Sequence, residues 1–451
     1  MLFQCKACAP ATDHGSAQMR SGKAKRWRTI DIHCHCMVPE ANALVLKATG
    51  IPGGGVTPNA NTHVNDLTKS IQPQRGKIDF PKLTDLDTRL SDMDRDGIDV
   101  QVISPYPGHF VCAAPPEVAR DSCHMVNDHI AGMVAKHPGR LMGMGTVPLQ
   151  DPGMALTELN RTVKELGFRG VELCTNVRGV DLTRAGLEKF FARVEELGVM
   201  IFLHPFGTSL VGRMEDHYFP NTIGHPLDSA LCVGHLVFDG YLERFPELKI
   251  CIAHGGGYIP GYWGRFDHAF AHREDCRVTI TKKPSEYLKK LYFDTVVFDE
   301  RELKHLIEIW GADHIMLGTD YPFDMAEPDP VALLDRIKGV SKADMALVAG
   351  GNAARLLGLP ADPRSAAQQL FRRRRVSSPQ PILRNMKHGC YRTDQGTYGR
   401  HLVGQEDGRK SRPHGRNRQD QADQAELARR AAPPLHSGVV GRPRRSARSP
   451  Q

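Results

Sequence analysis

No run of about 18 apolar residues, the length a helix needs to cross a bilayer, occurs anywhere in the 451 positions of this chain. The first 26 residues also lack the apolar stretch of a secretory leader. Together these absences argue against a membrane span and make a soluble, cytoplasmic protein the default expectation. No GxGxxG and no Walker sequence follows a candidate strand, which weakens the dinucleotide and nucleotide readings. The eleven cysteines are odd in number and scattered, as at Cys174, Cys232 and Cys251. That is the usage of reduced thiols in a reducing compartment. Cys5 and Cys8 form a CxxC, but no second pair follows at zinc-ribbon spacing.

Basic charge is plentiful only at one end. Residues 361–451 hold 20 Lys+Arg against 7 Asp+Glu, a net +13, so residues 1–360 carry −5 of the overall +8. Segments such as "FRRRRV", "GRKSRPHGRNRQDQADQ" and "GRPRRSARSPQ" have few aromatics and little periodicity, and residues 361–451 are expected to be a disordered basic tail. It reads as a non-functional extension, a solvated tail or a nucleic-acid or anionic-surface arm. With an acidic body and few aromatics in the tail, sequence-specific nucleic-acid recognition is not expected.

From residue 28 to 360, short apolar runs alternate with longer amphipathic ones, and residues 1–27 precede this domain as an extension. The candidate strands are "TIDI" (29–32), "VQVIS" (100–104), "LMGMGTV" (141–147), "GVELC" (170–174), "MIFLH" (200–204), "KICIAH" (249–254), "LYFD" (291–294) and "IMLGTD" (315–320). Between them, "PGMALTELNRTVKELG" and "RAGLEKFFARVEELG" have apolar residues every three or four positions, with Gly167 and Gly198 as stops. Eight such units predict an α/β fold, a (β/α)8 TIM barrel, rather than an open doubly wound sheet. The polar, Gly- and Pro-rich segment from about 36 to 80 reads as an inserted loop after the first strand, at the rim where a lid or substrate loop would stand.

His33 and His35 in "TIDIHCHCMVPE" are one residue apart, so on a strand both project from one face. Alone, that pair is a weak signal for a metal. The fifth strand, however, ends at His204 in "FLHPFG", the sixth at His254 in "CIAHGGGYIPG", and the eighth at Asp320 in "LGTDYPFD". Four strands thus finish in a ligand or proton carrier at the C-terminal rim, where this architecture keeps its chemistry. Imidazoles with a carboxylate suit zinc, and manganese or iron accepts the same donors. The fourth strand lacks a lysine that could be carbamylated to bridge two ions, which favours one divalent metal ion. Glu172, in mid-strand, is expected to be a supporting or buried hydrogen-bonding acid.

The segments "IDIHCH", "MDRDGIDVQVIS", "GTVPLQDPGMALTEL", "KELGFRGVEL", "FLHPFG", "FPELKICIAHGGGYIPGYWGRFDHAF" and "IMLGTDYPFDM" resemble the amidohydrolase superfamily, in particular its branch typified by 2-amino-3-carboxymuconate-6-semialdehyde decarboxylase. The resemblance covers roughly residues 28 to 359. It implies that His33, His35, His204 and Asp320 hold the metal and that His254 and Asp320 are catalytic. Arg265, in "GYWGRFDHAF", would reach the carboxylate in a neighbouring subunit's site, which implies a homodimer. The implied activity is non-oxidative decarboxylation of an unsaturated or aromatic carboxylic acid, the small-molecule partner; a hydrolase or hydratase on the same barrel is the alternative. The branch's substrate-binding arginine ahead of a "WDP" stretch has no match in "IQPQRGKIDFPKLTDLD", where Arg75 and Lys77 are the available cations.

Overall fold

The computed structural model describes residues 27–50, 64–206 and 213–359. All of these belong to one unit, Met1–Pro379, and the remainder, Gln380–Gln451, lies outside the described residues. The Cys5/Cys8 pair, residues 1–26 of the N-terminal extension, residues 51–63 of the insertion and the tail 361–451 therefore also lie outside them.

Eight parallel strands form the centre: β1 (Ile30–Cys36), β2 (Val100–Pro105), β3 (Leu141–Gly143), β4 (Gly170–Cys174), β5 (Met200–His204), β6 (Lys249–Ile252), β7 (Tyr292–Asp294) and β8 (Ile315–Met316). They pair in the orders β1-β2-β3 and β8-β7-β6-β5-β4. Two parallel bridges close the seams, Gly145 with Val171 and Cys34 with Tyr321, making the ring of a (β/α)8 barrel. The strands are almost wholly buried on both faces, as expected when helices cover a parallel sheet. Among the described residues no helix is long and apolar enough to cross a membrane.

One apolar layer fills the barrel's lower interior, with Ile30, Ile32, Val102, Phe202, Cys251 and Met316, and the helix Asn352–Leu357 closes it through Ala353, Leu356 and Leu357. A larger layer, with Cys34, Ile103, Leu173, Leu203 and Phe293, lies between strands and helices. β1 belongs to both layers because its register changes. Asp31 pairs with Gln101 but Cys34 with Ile103, so β1 spends one residue more than β2 across this interval. Such a bulge reverses the side-chain alternation. Ile30 and Ile32 face the interior below it, Cys34 and Cys36 face the helices above it, and His33 and His35 are thereby turned inward.

The insertion after β1 is present, but its described parts are helices rather than loop. Pro39 opens the helix Pro39–Thr49 at a position where a missing N–H costs nothing, and Gly50 ends it in the left-handed conformation (φ 70°). The helix Asp66–Thr84 begins where the Asn65 side chain accepts a bond from the Thr68 N–H at 2.9 Å. Gly198, left-handed at φ 62°, stops the helix Glu188–Leu197 as expected from sequence.

Candidate metal centre

β1, β5, β6 and β8 each deliver a polar side chain to one point at the barrel's C-terminal mouth. The rings of His33, His35 and His204 are mutually 5.0 to 5.1 Å apart, and His254 lies 5.2 Å from His33 and 4.9 Å from His204. Asp320 Oδ1 is 3.2 Å from the Nε2 atoms of both His33 and His35, and Asp320 Oδ2 is 3.6 Å from His254 Nε2. The structure thus brings together all five of these sequence-selected residues. It adds Glu172, whose Oε1 lies 3.7 Å from His35 Nδ1 and which forms with His35 and His204 a second, overlapping group of donors.

The donor set fits a cation. His33 Nε2, His35 Nε2, both ring nitrogens of His204, Asp320 Oδ1 and both Glu172 oxygens are buried without a hydrogen-bond partner among the described residues. Buried polar atoms left unpaired are costly, and this many in one place call for an ion to satisfy them. At His204, His35 and Asp320 the electrostatics point the same way. Burial and the neighbouring histidines hold His204 well below the usual imidazole range, and burial lowers His35, which leaves lone pairs free. Burial alone would lower His33, but the charge of Asp320 and the bond to Asp294 push it up to about 10. Although burial works against it, the Asp320 carboxyl is held well below its ordinary value by His33, His254 and His35. Burial raises the Glu172 carboxyl well above its usual range.

Supporting groups fix these side chains. Asp294 Oδ2 lies 2.6 Å from His33 Nδ1, and the Pro105 carbonyl is 3.0 Å from His35 Nδ1. Asp31 accepts bonds from the backbone N–H groups of His33 and Thr319 and from the Thr319 hydroxyl and Gln101 amide. Arg89, fully buried, donates to the His35 carbonyl and to Gln101 Oε1, and its guanidinium lies 5.0 Å from the Tyr321 ring centre. Gly318 is a required close approach: a Cβ there would sit 2.8 Å from His33 Cβ and 3.0 Å from Asp294 Cβ. Sequence reasoning missed Asp294, although "LYFD" ends its strand in an acid just as β8 leads to Asp320. Arg89 carried no signal, since a charge on a short helix ordinarily reads as solvated.

Around the mouth stand Phe110 against His204 and Phe323 against His35. From the helix Asp66–Thr84, Arg75 reaches Asp79 at 3.3 Å and Asp324 at 3.8 Å, while Lys77 is exposed. Arg265 lies exposed on the helix Ile259–His272, outside the five-residue cluster.

The Amidohydrolase family model matches residues 30–359. A 2-amino-3-carboxymuconate-6-semialdehyde decarboxylase of Dictyostelium discoideum is 38% identical over 276 residues, covering 61% of this chain and 77% of the relative. A gamma-resorcylate decarboxylase of Polaromonas sp. (strain JS666) is 30% identical over 287 residues, covering 60% of this chain and 87% of the relative. The crystal structure of a dihydroxybenzoic acid decarboxylase from Polaromonas sp. JS666, with bound manganese and the inhibitor 2-nitroresorcinol, is 27% identical with a TM-score of 0.62, covering 74% of this chain and 97% of that one. With the family model spanning the whole barrel and these relatives aligned along most of their lengths, the chain belongs to the Amidohydrolase family, in its metal-dependent decarboxylase branch.

Proposed function

We infer that this protein is a metal-dependent, non-oxidative decarboxylase of an aromatic or unsaturated carboxylic acid, with a hydroxybenzoate or 2-amino-3-carboxymuconate-6-semialdehyde as the substrate types to test first. The observation that carries the reading is the convergence of His33, His35, His204, His254 and Asp320 from four strand ends onto one point. His33, His35, His204 and Asp320 are the ligands in this reading. Three imidazoles with one carboxylate favour zinc, and the manganese in the related dihydroxybenzoic acid decarboxylase makes that ion the second candidate. When bound, the cation supplies Lewis-acid polarisation of a substrate oxygen or of water.

The chain's own groups divide the remaining work. The His33 and His35 side chains are sealed at 0% exposure, whereas His254 is 16% exposed, so His254 is the histidine that can meet substrate. Its imidazole delivers a proton to the carbon that carbon dioxide leaves, and Asp320 Oδ2, on the same side, orients the ring. Phe110 and Phe323 offer a planar acid apolar walls that exclude water.

Arg265 is the carboxylate clamp, provided by a second copy of the chain. Its exposure, and the absence of any ion pair to it among the described residues, leave its guanidinium free for another molecule's site. The neighbouring groove lined by Leu231, Tyr258, Tyr262 and Phe266 is apolar enough to support that homodimer. Cysteine usage supports a cytoplasmic setting.

The test is to load the purified full chain with zinc or manganese and supply a panel of such acids. Release of carbon dioxide with replacement of the carboxylate by a solvent hydrogen is expected. Incorporation of solvent oxygen without carbon loss would move the protein to the hydrolase or hydratase reading.

A further inference from the structure

We propose that Asp294 is the positioning residue of this centre, fixing which nitrogen His33 presents to the cation and pinning the backbone turn that carries His254. The proposal rests on the cation-binding reading above. Asp294 ends β7, between the strands that lead to His254 and Asp320, and is fully buried. Its Oδ2 lies 2.6 Å from His33 Nδ1 and accepts the backbone N–H of His254 at 3.0 Å. Its Oδ1 accepts the N–H groups of Gly255 at 2.8 Å and Val296 at 3.1 Å.

Two consequences follow. An ionised carboxylate only accepts, and Asp294 Oδ2 sits 2.6 Å from His33 Nδ1 while Asp320 Oδ1 is 3.2 Å from Nε2, so with a cation bound the ring keeps its proton on Nδ1 and presents the Nε2 lone pair on the Asp320 side. A histidine held this way presents one nitrogen in one orientation. Second, His254 and Gly255 are both left-handed, at φ 56° and 61°. For a histidine that conformation is uncommon and needs outside support. The two successive N–H groups of this turn converge on Asp294, the arrangement by which a backbone nest holds an anion. One carboxylate thus ties a ligand from β1 to the histidine after β6. Asp294 thus faces four donors, His33 Nδ1 and the N–H groups of His254, Gly255 and Val296. An amide cannot replace it, because whichever way it is turned its NH2 meets N–H groups.

Asp31 provides the control. It is equally buried and accepts four bonds, including that of the His33 backbone N–H, but it makes no bond to a ligand ring. Zinc affinity is measured by chelator competition on the full chain for wild type, Asp294→Asn and Asp31→Asn, alongside thermal denaturation of the metal-free proteins. Asp294→Asn is expected to weaken zinc binding about 10- to 100-fold, and Asp31→Asn markedly less even if it unfolds at as low a temperature. Equal losses in the two variants, or unchanged affinity in Asp294→Asn, would overturn the proposal. Should Asp294→Asn not fold, long-range proton–nitrogen correlation on the zinc-loaded, 15N-histidine wild type decides. The His33 ring proton on Nδ1 is expected, and on Nε2 it would refute the assignment. A wild-type chain that binds no zinc fails the cation reading, and this proposal with it, before any variant is made.

Discussion

The floor of the site and its rim are built differently. On the floor, His33, His35 and His204 sit on strands and Asp320 lies in the segment after β8 (Ile315–Met316), all of them buried. Buried groups hold His33 and His35 in turn: Asp294 and the Pro105 carbonyl bind the rings, while Asp31 and Arg89 bind the backbone. On the rim, Arg75 stands on a surface helix, shared between two carboxylates, and Arg265, proposed for the rim of a second copy's site, is exposed on another surface helix. A strand inside a barrel has its position set by neighbours on both sides, so a donor placed on it is fixed to within a bond length. A helix on the rim is set by side-chain packing alone, and its cations stay adjustable. Chemistry common to a family belongs on the first kind of element, and substrate choice on the second.

The largest expected effect breaks the floor. His204→Ala removes the imidazole that both overlapping donor groups share, so metal content after purification should fall to background and turnover by at least about 10³-fold. Elemental analysis with a turnover assay checks this, and retention of both would dissolve the proposed ligand set.

The next effect tests the rim against the floor. Arg265→Gln should leave metal content unchanged and lower kcat/KM by about 100-fold, the scale of a lost charge-assisted bond to a carboxylate. If the arginine works across a dimer, mixing inactive His204→Ala and Arg265→Gln chains should restore about a quarter of wild-type activity. Half the dimers would then be mixed, each with one site that holds both residues. No recovery on mixing would return Arg265 to its own chain.

A smaller effect measures how tightly the floor is packed. Gly318→Ala places a methyl group within 3.0 Å of the Cβ atoms of both His33 and Asp294, so one or both must shift. Cation affinity should fall about 10-fold with little change in the mouth, visible as weaker chelator competition at a similar KM.

Legibility followed the same division. All eight strands are legible from apolar runs, and the five clustered side chains from what stands toward the strand ends. The spacing of His33 and His35 correctly predicts a shared face, but period-two counting from Ile30 and Ile32 turns that face toward the helices. The extra residue between Asp31 and Cys34 turns it inward, and nothing in "IDIHCHC" announces a bulge. The insertion after β1 reads as loop because it is polar and rich in Gly, Pro and Asn. Yet Pro39 and Asn65 are helix-starting residues, and the helices they open form where described. Arg89 and Gly318 were illegible because their roles depend on which distant segments the barrel closure brings beside them.

The smallest expected effect concerns the end of the chain. The barrel's lower interior is closed by Ala353, Leu356 and Leu357, and the family match ends at residue 359. Every group assigned to the floor or rim precedes that point. Residues 361–451 carry +13 against −5 for the rest, and interactions between solvent-exposed charges are screened by salt. Deleting them should leave kcat, KM and metal content at wild-type values in 0.15 M salt, where the Debye length is about 8 Å. Any contribution should show at low salt, as stronger retention of the full chain than of the truncated one on a polyanion column and a lower KM of the full chain for anionic substrate. A truncated protein that lost turnover at physiological salt would show that the barrel's floor and rim are not a complete catalytic unit.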